Sequence, residues 1–392
     1  MKLKLKETPE QVELVRALGS RNPAISTEAN EAFAAFIGPV VSKVLNEAGT
    51  SSVIYTDTVF DEDDNPSYPL DLYYNTDKGF ISVWSQDVAG GLPSSNAMVP
   101  IQELKLMTYR LDSAVHLHKR YARRARLDVV AKAIERMAQE VLIKQERNAW
   151  SVIMKALAEG ATKNGRSTSA GTSGSLRHLL TSRNTGATAE LRLSDLNDLL
   201  TRVKRINVGF AGGTPAGLLG RGLTDLWMSP EVMAQVRAFA FNAIRADSGA
   251  TSTNAQNLPD VARMNIWGAA GMSEIYGVHL HELIELGLSE RYNTLFETFF
   301  DAVGSAATNL DGSTNSISNF ATASHQVLVG LDLSREAFVR PVARQAESGG
   351  TFAALPDDQF YATRADKTGW YGFLEEGRLC LDGRAVVGLI LG

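Results

Sequence analysis

The chain has 392 residues, of which 44% are hydrophobic and 21% charged, with a formal net charge of −5 at pH 7. These values are ordinary for a folded globular protein, and the acidic balance argues against binding nucleic acid by neutralising its phosphates. The single Cys380 cannot form an intrachain disulfide, and no apolar run reaches the length of a membrane span. No apolar segment follows the basic first residues, so we expect a soluble protein that folds in a cytoplasm.

The first elements in chain order are helices. Residues 8–11 combine an N-cap, a proline at the first helical position and a capping-box glutamine, and Gly19 predicts the end of this helix. A second helical pair is predicted over residues 26–49, with a break at Gly38 and Pro39. These helices are either a strap-like arm or ordinary globular helices, and their sequence favours neither.

A period of two residues begins at about residue 52 and returns, after turn-rich interruptions, up to residue 111. This pattern predicts a long two-stranded excursion. Because an isolated ribbon is only marginally stable in water, we expect it to lie against a partner surface, such as another copy of the chain. The excursion carries a lysine near its predicted tip, Lys78, and an acidic run, Asp61, Glu62, Asp63 and Asp64.

Residues 127–157 predict one long amphipathic helix of roughly 45 Å, since apolar side chains recur at spacings of three and four. A basic cluster precedes it: Lys119, Arg120, Arg123, Arg124 and Arg126. The simplest interpretation of this cluster is a solvated helix face. The alternative is that Arg120, Arg123 and Arg124 meet the acidic run of a neighbouring copy, which makes both groups, with Lys78, candidate intersubunit contacts.

The second half of the chain alternates loops with α/β elements. Residues 162–189 and 309–324 are rich in small polar residues, and residues 209–222 are rich in glycine. Between and after these loops, the patterns predict a helix over 194–206, a strand over 223–228, a helix over 229–241, a strand over 275–286, strands from His325 onwards and a hairpin turn at Asp382 and Gly383.

No catalytic constellation stands out. The glycine-rich loop 209–222 lacks the spacing of a phosphate-binding loop, and Cys380 lies among apolar strand residues. Two pairs of histidines, His116 with His118 and His279 with His281, would each share one face of a strand, but a zinc site needs three or four ligands. The sequence therefore predicts no catalytic residue, no cofactor and no metal site.

The order of these parts resembles the major capsid proteins of tailed phages, the Hong Kong 97-type shell fold. Residues 106–113 leading into 126–130 look like the entry to that family's spine helix. Residues 226–230, Leu-Trp-Met-Ser-Pro, are similar to the place where a strand of that family is followed directly by a helix. Residues 277–280 resemble another of its strands. Residues 372–391, and 381–387 in particular, resemble its closing strands.

The resemblance implies an α+β fold with an N-terminal arm (1–56), an extended β-hairpin E-loop (57–99), a peripheral domain with the spine helix (100–160), an axial domain (161–324) and return strands that complete the peripheral domain (325–392). It implies pentamers and hexamers that form an icosahedral head around double-stranded DNA, held without sequence-specific binding. Expected partners are a separate scaffolding protein, since no coiled-coil leader precedes the short arm, a portal and a decoration protein.

Two alternatives remain open at the level of sequence. An encapsulin-type compartment shares the shell fold, and a cytoplasmic α/β enzyme could use loop 209–222 with His279 and His281. Some relatives cross-link an E-loop lysine to a neighbour, but nothing around Lys78 indicates that it reacts. For a capsid protein, the expected location is the virion, after assembly in the host cytoplasm.

Overall fold

The computed structural model describes residues 8–47, 49–61, 66–69, 103–124, 126–163, 178–182, 190–211, 222–238, 273–303, 307–308, 316–344, 351–356 and 366–392. The chain divides into two compact units. Unit 1 comprises Met1–Ala149 and Phe338–Leu379, and unit 2 comprises Trp150–Ala337 and Cys380–Gly392. These boundaries differ from the expected ones at residues 160 and 324. The units are defined by which residues contact each other in space, and one boundary falls inside a helix, between Ala149 and Trp150.

The helices and strands mix in both units, which confirms the α+β class. In chain order, the described α-helices are α1 (Pro9–Leu18), α2 (Pro23–Glu47), α3 (Ser51–Ile54), α4 (Lys119–Arg123), α5 (Leu127–Lys163), α6 (Leu193–Ala211), α7 (Pro230–Ala238) and α8 (Arg291–Val303). The 37-residue α5 confirms the predicted long helix and extends it by six residues. Two 3₁₀ turns are η1 (Leu333–Arg335) and η2 (Gly383–Ala385).

The strands make one sheet in each unit and a small two-stranded ribbon. In chain order they are β1 (Thr56–Asp61), β2 (Ser67–Pro69), β3 (Glu103–Lys105), β4 (Tyr109–His118), β5 (Leu179–Thr181), β6 (Asp225–Met228), β7 (Ser273–Ile275), β8 (Val278–Glu282), β9 (Ala307–Thr308), β10 (Ser316–Ile317), β11 (Gln326–Leu331), β12 (Phe338–Arg344), β13 (Ala353–Pro356), β14 (Lys367–Glu376), β15 (Leu379–Cys380) and β16 (Val386–Leu391).

The first helix starts as its sequence predicts. Thr8 is the N-cap, its hydroxyl accepts a hydrogen bond from the Gln11 amide at 3.4 Å, and Pro9 occupies the first helical position. Gly19 caps the end, but with φ of −85° and not in the left-handed conformation common at glycine caps. Gly19 is needed there for space, because a Cβ atom would lie 2.6 Å from the backbone nitrogen of Arg123.

The second helix is continuous through Pro39, so the predicted break is wrong. A proline inside a helix costs about 3 kcal/mol, because it removes one hydrogen bond and crowds the preceding turn. The opposite side of α2 buries Phe33, Ile37 and Val41 in the core of unit 1. Burial of each such side chain contributes about 1.5–3 kcal/mol, and together they offset the cost of continuing the helix through the proline.

The strand predicted from about residue 52 begins with a helical turn instead. The Glu146 carboxylate accepts hydrogen bonds from the Ser51 amide at 3.0 Å and the Ser51 hydroxyl at 2.7 Å, and it also contacts the Thr50 hydroxyl. A carboxylate at a helix N-terminus satisfies free N–H groups and the positive end of the helix dipole. A residue of α5 therefore decides the local structure of α3, which no local pattern could indicate.

The sheet of unit 1 is built around β14. Strand β4 runs antiparallel along all ten residues of β14, from Lys367 opposite His118 to Glu376 opposite Tyr109. On its other side β14 pairs with β13 and, through Glu376 and Val342, with β12, and β12 pairs with β1 in parallel. The start of the predicted excursion, residues 57–61, thus belongs to this sheet, and β2 and β3 form a separate antiparallel ribbon.

One face of this sheet carries the core of unit 1. Helices α1, α2 and α5 pack on it, and the N-terminal helices are therefore globular core elements of their own unit. The core includes Val15, Leu18, Phe33, Ile37, Val41, Leu45, Val130, Ile134, Met137, Val141, Val342, Phe352, Trp370 and Leu374. The rings of Phe33 and Trp370 have centroids 4.9 Å apart, which joins α2 directly to β14.

A buried charge network lies at the end of β14. Glu376 has no exposed surface, and its carboxylate accepts hydrogen bonds from the Tyr109 hydroxyl at 2.9 Å, from Gln145 Nε2 at 3.0 Å and from the Arg378 guanidinium at 3.3 Å. Arg340 Nε lies 3.0 Å from the same carboxylate, although off the hydrogen-bond direction. Burial and the nearby Glu376 charge raise the pKa of Tyr109 far above its usual value, so Tyr109 serves as a donor here.

Unit 2 contains an eight-stranded mixed sheet in the order β10-β9-β5-β16-β11-β6-β8-β7. Helices α6 and α7 pack against it through a core that includes Leu199, Val203, Ile206, Leu226, Val232, Val236, Leu280, Leu328 and Leu389. Trp150 stacks on Tyr292 at 5.7 Å and meets Trp227 edge-on at 5.4 Å. These aromatic contacts fix the unit-2 part of α5 to β6 and α8.

Two predicted strand features of unit 2 need correction. The segment 275–286 contains a two-residue turn at Tyr276 and Gly277, so it supplies β8 and a loop instead of one strand. Asp382 and Gly383 do not make a hairpin. The Asp382 carboxylate accepts from the Arg384 amide at 3.0 Å, which starts the turn η2, and β16 then pairs with β11 and β5.

Candidate intersubunit surface

On the face of the unit-1 sheet opposite its core, β4 carries exposed residues and β14 carries half-buried ones. Along β4 the residues alternate between half-buried and exposed, with Leu111 and Val115 packed against the core and Arg110 and Asp112 exposed. Beside these two residues lie Tyr371 and Phe373 of β14, both half-buried. We call these last four residues, Arg110, Asp112, Tyr371 and Phe373, the outer face.

The outer face is organised around the Arg110 guanidinium. Its Cζ atom lies 3.9 Å from the centroid of the Phe373 ring and 5.7 Å from that of Tyr371. Arg110 also donates to the Asp112 carboxylate at 2.7 Å and to the Tyr371 hydroxyl at 3.0 Å, and the Tyr371 hydroxyl donates to Asp112 at 2.5 Å. Every polar tip of the outer face is therefore fixed by a neighbour.

Electrostatics at the outer face follow from these contacts. The hydrogen bond from Tyr371 lowers the pKa of Asp112, and the Asp112 carboxylate raises the pKa of Tyr371. The side chains of Arg110 and Asp112 are each 48% exposed, so this ion pair adds little to the stability of unit 1. Preorganised Arg, Tyr and Phe side chains are the types enriched at the centres of protein interfaces.

The predicted basic candidates lie on and after α4, where the chain passes from β4 to α5. Arg120, Arg123 and Arg124 are all exposed. Arg123 is bound within its own chain, since its Nη2 atom lies 2.8 Å from Asp366 and its Nε donates to the Gly19 carbonyl at 2.8 Å. Arg120 and Arg124 therefore stay as predicted contacts, while Arg123 has a partner inside unit 1.

Among the predicted acidic candidates, Asp61 is the exposed last residue of β1, in register with Arg344 of β12. Glu62, Asp63, Asp64 and Lys78 lie outside the described residues. The structure does not bring Asp61 together with the basic cluster within one chain.

Sequence reasoning missed the outer face. A signal was present, because Tyr109, Leu111, Val115 and Leu117 alternate with polar residues over ten positions. The pattern predicts a return strand of the excursion over residues 99–111. Within the described residues this stretch supplies β3, which pairs with β2, and the start of β4, which continues to His118. The neighbouring pair Tyr371 and Phe373 follows the same two-residue spacing, and only the pairing of β4 with β14 places the two sets side by side.

The residues considered for enzymatic chemistry occupy ordinary positions. Burial raises the pKa of the Cys380 thiol to about 12, which disfavours the thiolate that a nucleophile needs. His116 and His118 share the exposed face of β4, as expected. Among the described residues, no group of three or more His, Cys, Asp or Glu side chains could hold a metal ion.

The second histidine pair also shares one face, on β8. His281 Nε2 lies 2.6 Å from Asp225 Oδ1, and its ring stacks on Trp227 at 4.2 Å. The proposed glycine-rich loop begins as helix, because residues 209–211 are the end of α6, and residues 212–221 lie outside the described part of the chain. None of the helices in the described residues is long and apolar enough to cross a membrane.

Comparison with known proteins places the similarity among shell proteins. No family model and no curated protein matches the chain. Similar solved structures include the capsid of the cyanophage P-SCSP1u, at 12% identity over 86% of each chain and a TM-score of 0.45. The head structure of Helicobacter pylori bacteriophage KHP40 is 9% identical over 85% of this chain and 86% of that chain, with a TM-score of 0.43.

An encapsulin complex from Synechococcus elongatus is also similar, at 12% identity over 74% of this chain and 75% of that chain, with a TM-score of 0.38. The solved structures that resemble this chain are mostly of phage capsids. At these identities the similarity concerns the fold alone.

Proposed function

We propose that this chain is a major capsid protein of the Hong Kong 97 type, which assembles as pentamers and hexamers into an icosahedral phage head around double-stranded DNA. The observation that carries the proposal is the outer face, a cluster of mutually bound Arg, Asp, Tyr and Phe side chains on the side of the sheet opposite the core of unit 1. A surface of this composition gains most when a second protein covers it.

The occupant of the outer face in this proposal is another copy of the same chain. The ribbon of β2 and β3 supports this choice, because two short strands are marginal alone and the chain between them, residues 70–102, is long enough to extend over a neighbour. Large interfaces between copies then supply stability that one subunit lacks. A second contact between copies in this proposal is electrostatic. Arg120 and Arg124 of one copy meet the acidic run 61–64 of its neighbour.

The other partners follow from the function of a head. A separate scaffolding protein would direct assembly in the host cytoplasm, a portal would occupy one vertex, and a decoration protein would bind the finished virion. The net charge of −5 suits a shell that holds DNA without binding it tightly.

The direct test of the proposal is the assembly state of the purified full-length chain. We expect closed particles, or pentamers and hexamers, in negative-stain electron micrographs and by native mass spectrometry. A stable monomer as the only species at high protein concentration would refute the proposal. The contents separate the alternatives, since double-stranded DNA in particles from infected cells supports a phage head and a protein cargo supports a compartment.

A substitution in the outer face tests whether this surface is an interface between copies. Phe373→Ala removes the ring against which Arg110 lies, and we expect at least a tenfold fall in the assembled fraction while the subunit stays folded by circular dichroism. The matched control is Phe36→Ala, an equal truncation of a 46%-exposed ring on α2 of the same unit. Equal assembly of the two variants would show that the outer face is not an interface.

A further inference from the structure

Unit 2 contains a cavity that plays no part in the assembly proposed above. It has a volume of about 560 Å³, in the range of small-molecule sites. Four parts of the chain supply its polar lining: α6 with Asn197 and Lys204, the entry to β6 with Thr224 and Asp225, the β7–β8 hairpin with Tyr276 and His279, and η1 with Ser334.

Among the described residues, no side-chain hydrogen bond or close ion pair engages Asn197, Lys204, Tyr276 or His279. The first three are exposed, and His279 interacts electrostatically with the Asp225 carboxylate. The four side chains carry an amide, an ammonium, a phenol and an imidazole, which are all able to donate hydrogen bonds. The lining also holds one carboxylate, that of Asp225, and its Oδ1 atom is already engaged by His281 at 2.6 Å. The cavity thus offers several hydrogen-bond donors, and the positive charge of Lys204 offsets the negative charge of Asp225.

A glycine with a left-handed backbone lies beside the cavity lysine. Gly222, just before β6, has φ of +89°, and the Cγ atom of Lys204 lies 3.8 Å from the position of a Cβ atom there. The stem of Lys204 thus runs close against the backbone that leads into β6. The left-handed φ, and not lack of space, favours glycine at this position.

The hairpin tip is strained. Tyr276 has φ of +53° and Gly277 has φ of +79°, so both central residues of the turn are left-handed. Such turns usually carry Asn or Asp before Gly, and a tyrosine in this conformation costs on the order of 1 kcal/mol. The tyrosine, 57% exposed, lines the cavity, and a Cβ atom on Gly277 would meet only open space.

We propose that this cavity is a binding site for a small phosphate ester, with Lys204, His279 and Asn197 binding the phosphate group and Tyr276 at the entrance. Donors that come from separate elements suit a tetrahedral oxyanion with several acceptor oxygens better than a planar carboxylate. Because neither the outer face nor the ribbon contributes to it, the site is independent of the assembly proposal.

The test measures binding of glycerol 3-phosphate and inorganic phosphate to the full-length protein by isothermal titration calorimetry, with sodium acetate as the planar anion. We expect saturable binding of the two phosphates, with affinity at least tenfold above that for acetate. Lys204→Gln should weaken binding at least tenfold, and Lys204→Arg should retain most of it, because the charge stays. The control Lys155→Gln removes an equally exposed lysine of unit 2 elsewhere and should change nothing.

His279→Gln provides a second variant should the lysine variants fold poorly, and it should weaken phosphate binding several-fold. The absence of saturable phosphate binding up to about 10 mM would overturn the proposal. Equal affinity in the parent, Lys204→Gln and His279→Gln proteins would also overturn it, because binding would then lie elsewhere. Since the readout is ligand affinity, it stays informative whether or not the chain forms shells.

Discussion

The side-chain amide of Gln145, at the middle of α5, donates a 3.0 Å hydrogen bond to the fully buried carboxylate of Glu376 on β14. The guanidinium groups of Arg340 and Arg378 lie against the same carboxylate, and the Tyr109 hydroxyl donates to it. One acidic residue thus joins the long helix and three strand segments of unit 1. A buried ion network adds little stability over well-packed apolar side chains. Removing one of its partners is nevertheless strongly destabilising, because the remaining charges stay buried without compensation.

Glu376→Gln is therefore expected to destabilise unit 1 by about 3–5 kcal/mol, since two buried guanidinium groups lose their carboxylate. Urea unfolding of dissociated subunits, followed by circular dichroism, measures this as a lower midpoint. Glu375→Gln is the matched control at the adjacent, half-buried position on the opposite face, with an expected loss below about 1 kcal/mol. Similar losses for both variants would show that the buried network has no special role.

Pro39→Ala is expected to stabilise the protein by about 1–3 kcal/mol, because it restores a backbone hydrogen bond inside α2. The Pro39 side chain is exposed, so no core contact is lost. Gly38→Ala is the comparison, and its gain should be smaller or absent because the new Cβ atom would lie 3.3 Å from the Phe352 carbonyl oxygen. A thermal melt that shows no gain for Pro39→Ala would mean that α2 has relaxed around the proline.

The stability of unit 2 should fall as the pH drops from about 6.5 to about 4, because of His178. This imidazole is 2% exposed, its Nε2 atom has no hydrogen-bond partner in the described part of the chain, and burial lowers its pKa to about 4. The unfolded chain takes up a proton near pH 6.5 and the folded chain does not, so folding weakens across this window by on the order of 3 kcal/mol.

His178→Gln should remove most of that pH dependence while retaining a polar group. The measurement is the free energy of unfolding at pH 7, 5.5 and 4.5 for the parent and the variant. His118→Gln, which changes an exposed histidine, should leave the slope as in the parent. A variant slope equal to that of the parent would assign the acid sensitivity to other groups.

Replacing residues 70–102 with a tight turn from Pro69 to Glu103 should leave both units folded and abolish assembly. These two residues pair in the β2–β3 ribbon, so a turn of a few residues can join them. Circular dichroism tests the fold, and electron microscopy tests the particles. Particles of normal size from this variant would contradict a role of the segment in contacts between copies.

The wider excision of residues 57–99 is a useful contrast. It removes most of β1, which pairs with β12, and it removes Asp57, whose carboxylate lies 3.4 Å from Arg340. That variant is expected to lose folding as well as assembly. If both variants fold equally well, the pairing of β1 in the sheet adds no measurable stability.

The elements predicted best are those whose signal lies in adjacent residues. The cap at Thr8 and Pro9, the long helix from Leu127 and the Ser229-Pro230 helix start all depend on local hydrogen bonds and on side-chain periodicity. The elements predicted wrongly depend on distant partners. The core packing of α2 overrides Pro39, and the Glu146 carboxylate turns residues 51–54 into helix.

The same distinction applies to the sites. The exposed positions of Arg120 and Arg124 follow from the charge pattern, which is a local property. In the outer face, Arg110 and Phe373 are 263 positions apart in the sequence. Among the cavity donors, Asn197 and His279 are 82 positions apart. No pattern of local spacing connects residues at such separations.

By itself the sequence determined the α+β class, the long helix, the position of the basic cluster and the order of parts that resembles a capsid protein. Short-range hydrogen bonding and apolar periodicity carry that information. Only the tertiary structure decided that the N-terminal helices are core, that β4 lies along β14, and that Glu376 joins four elements. Those outcomes depend on the free energy of burying surfaces distant in sequence, which becomes defined only when the chain has folded.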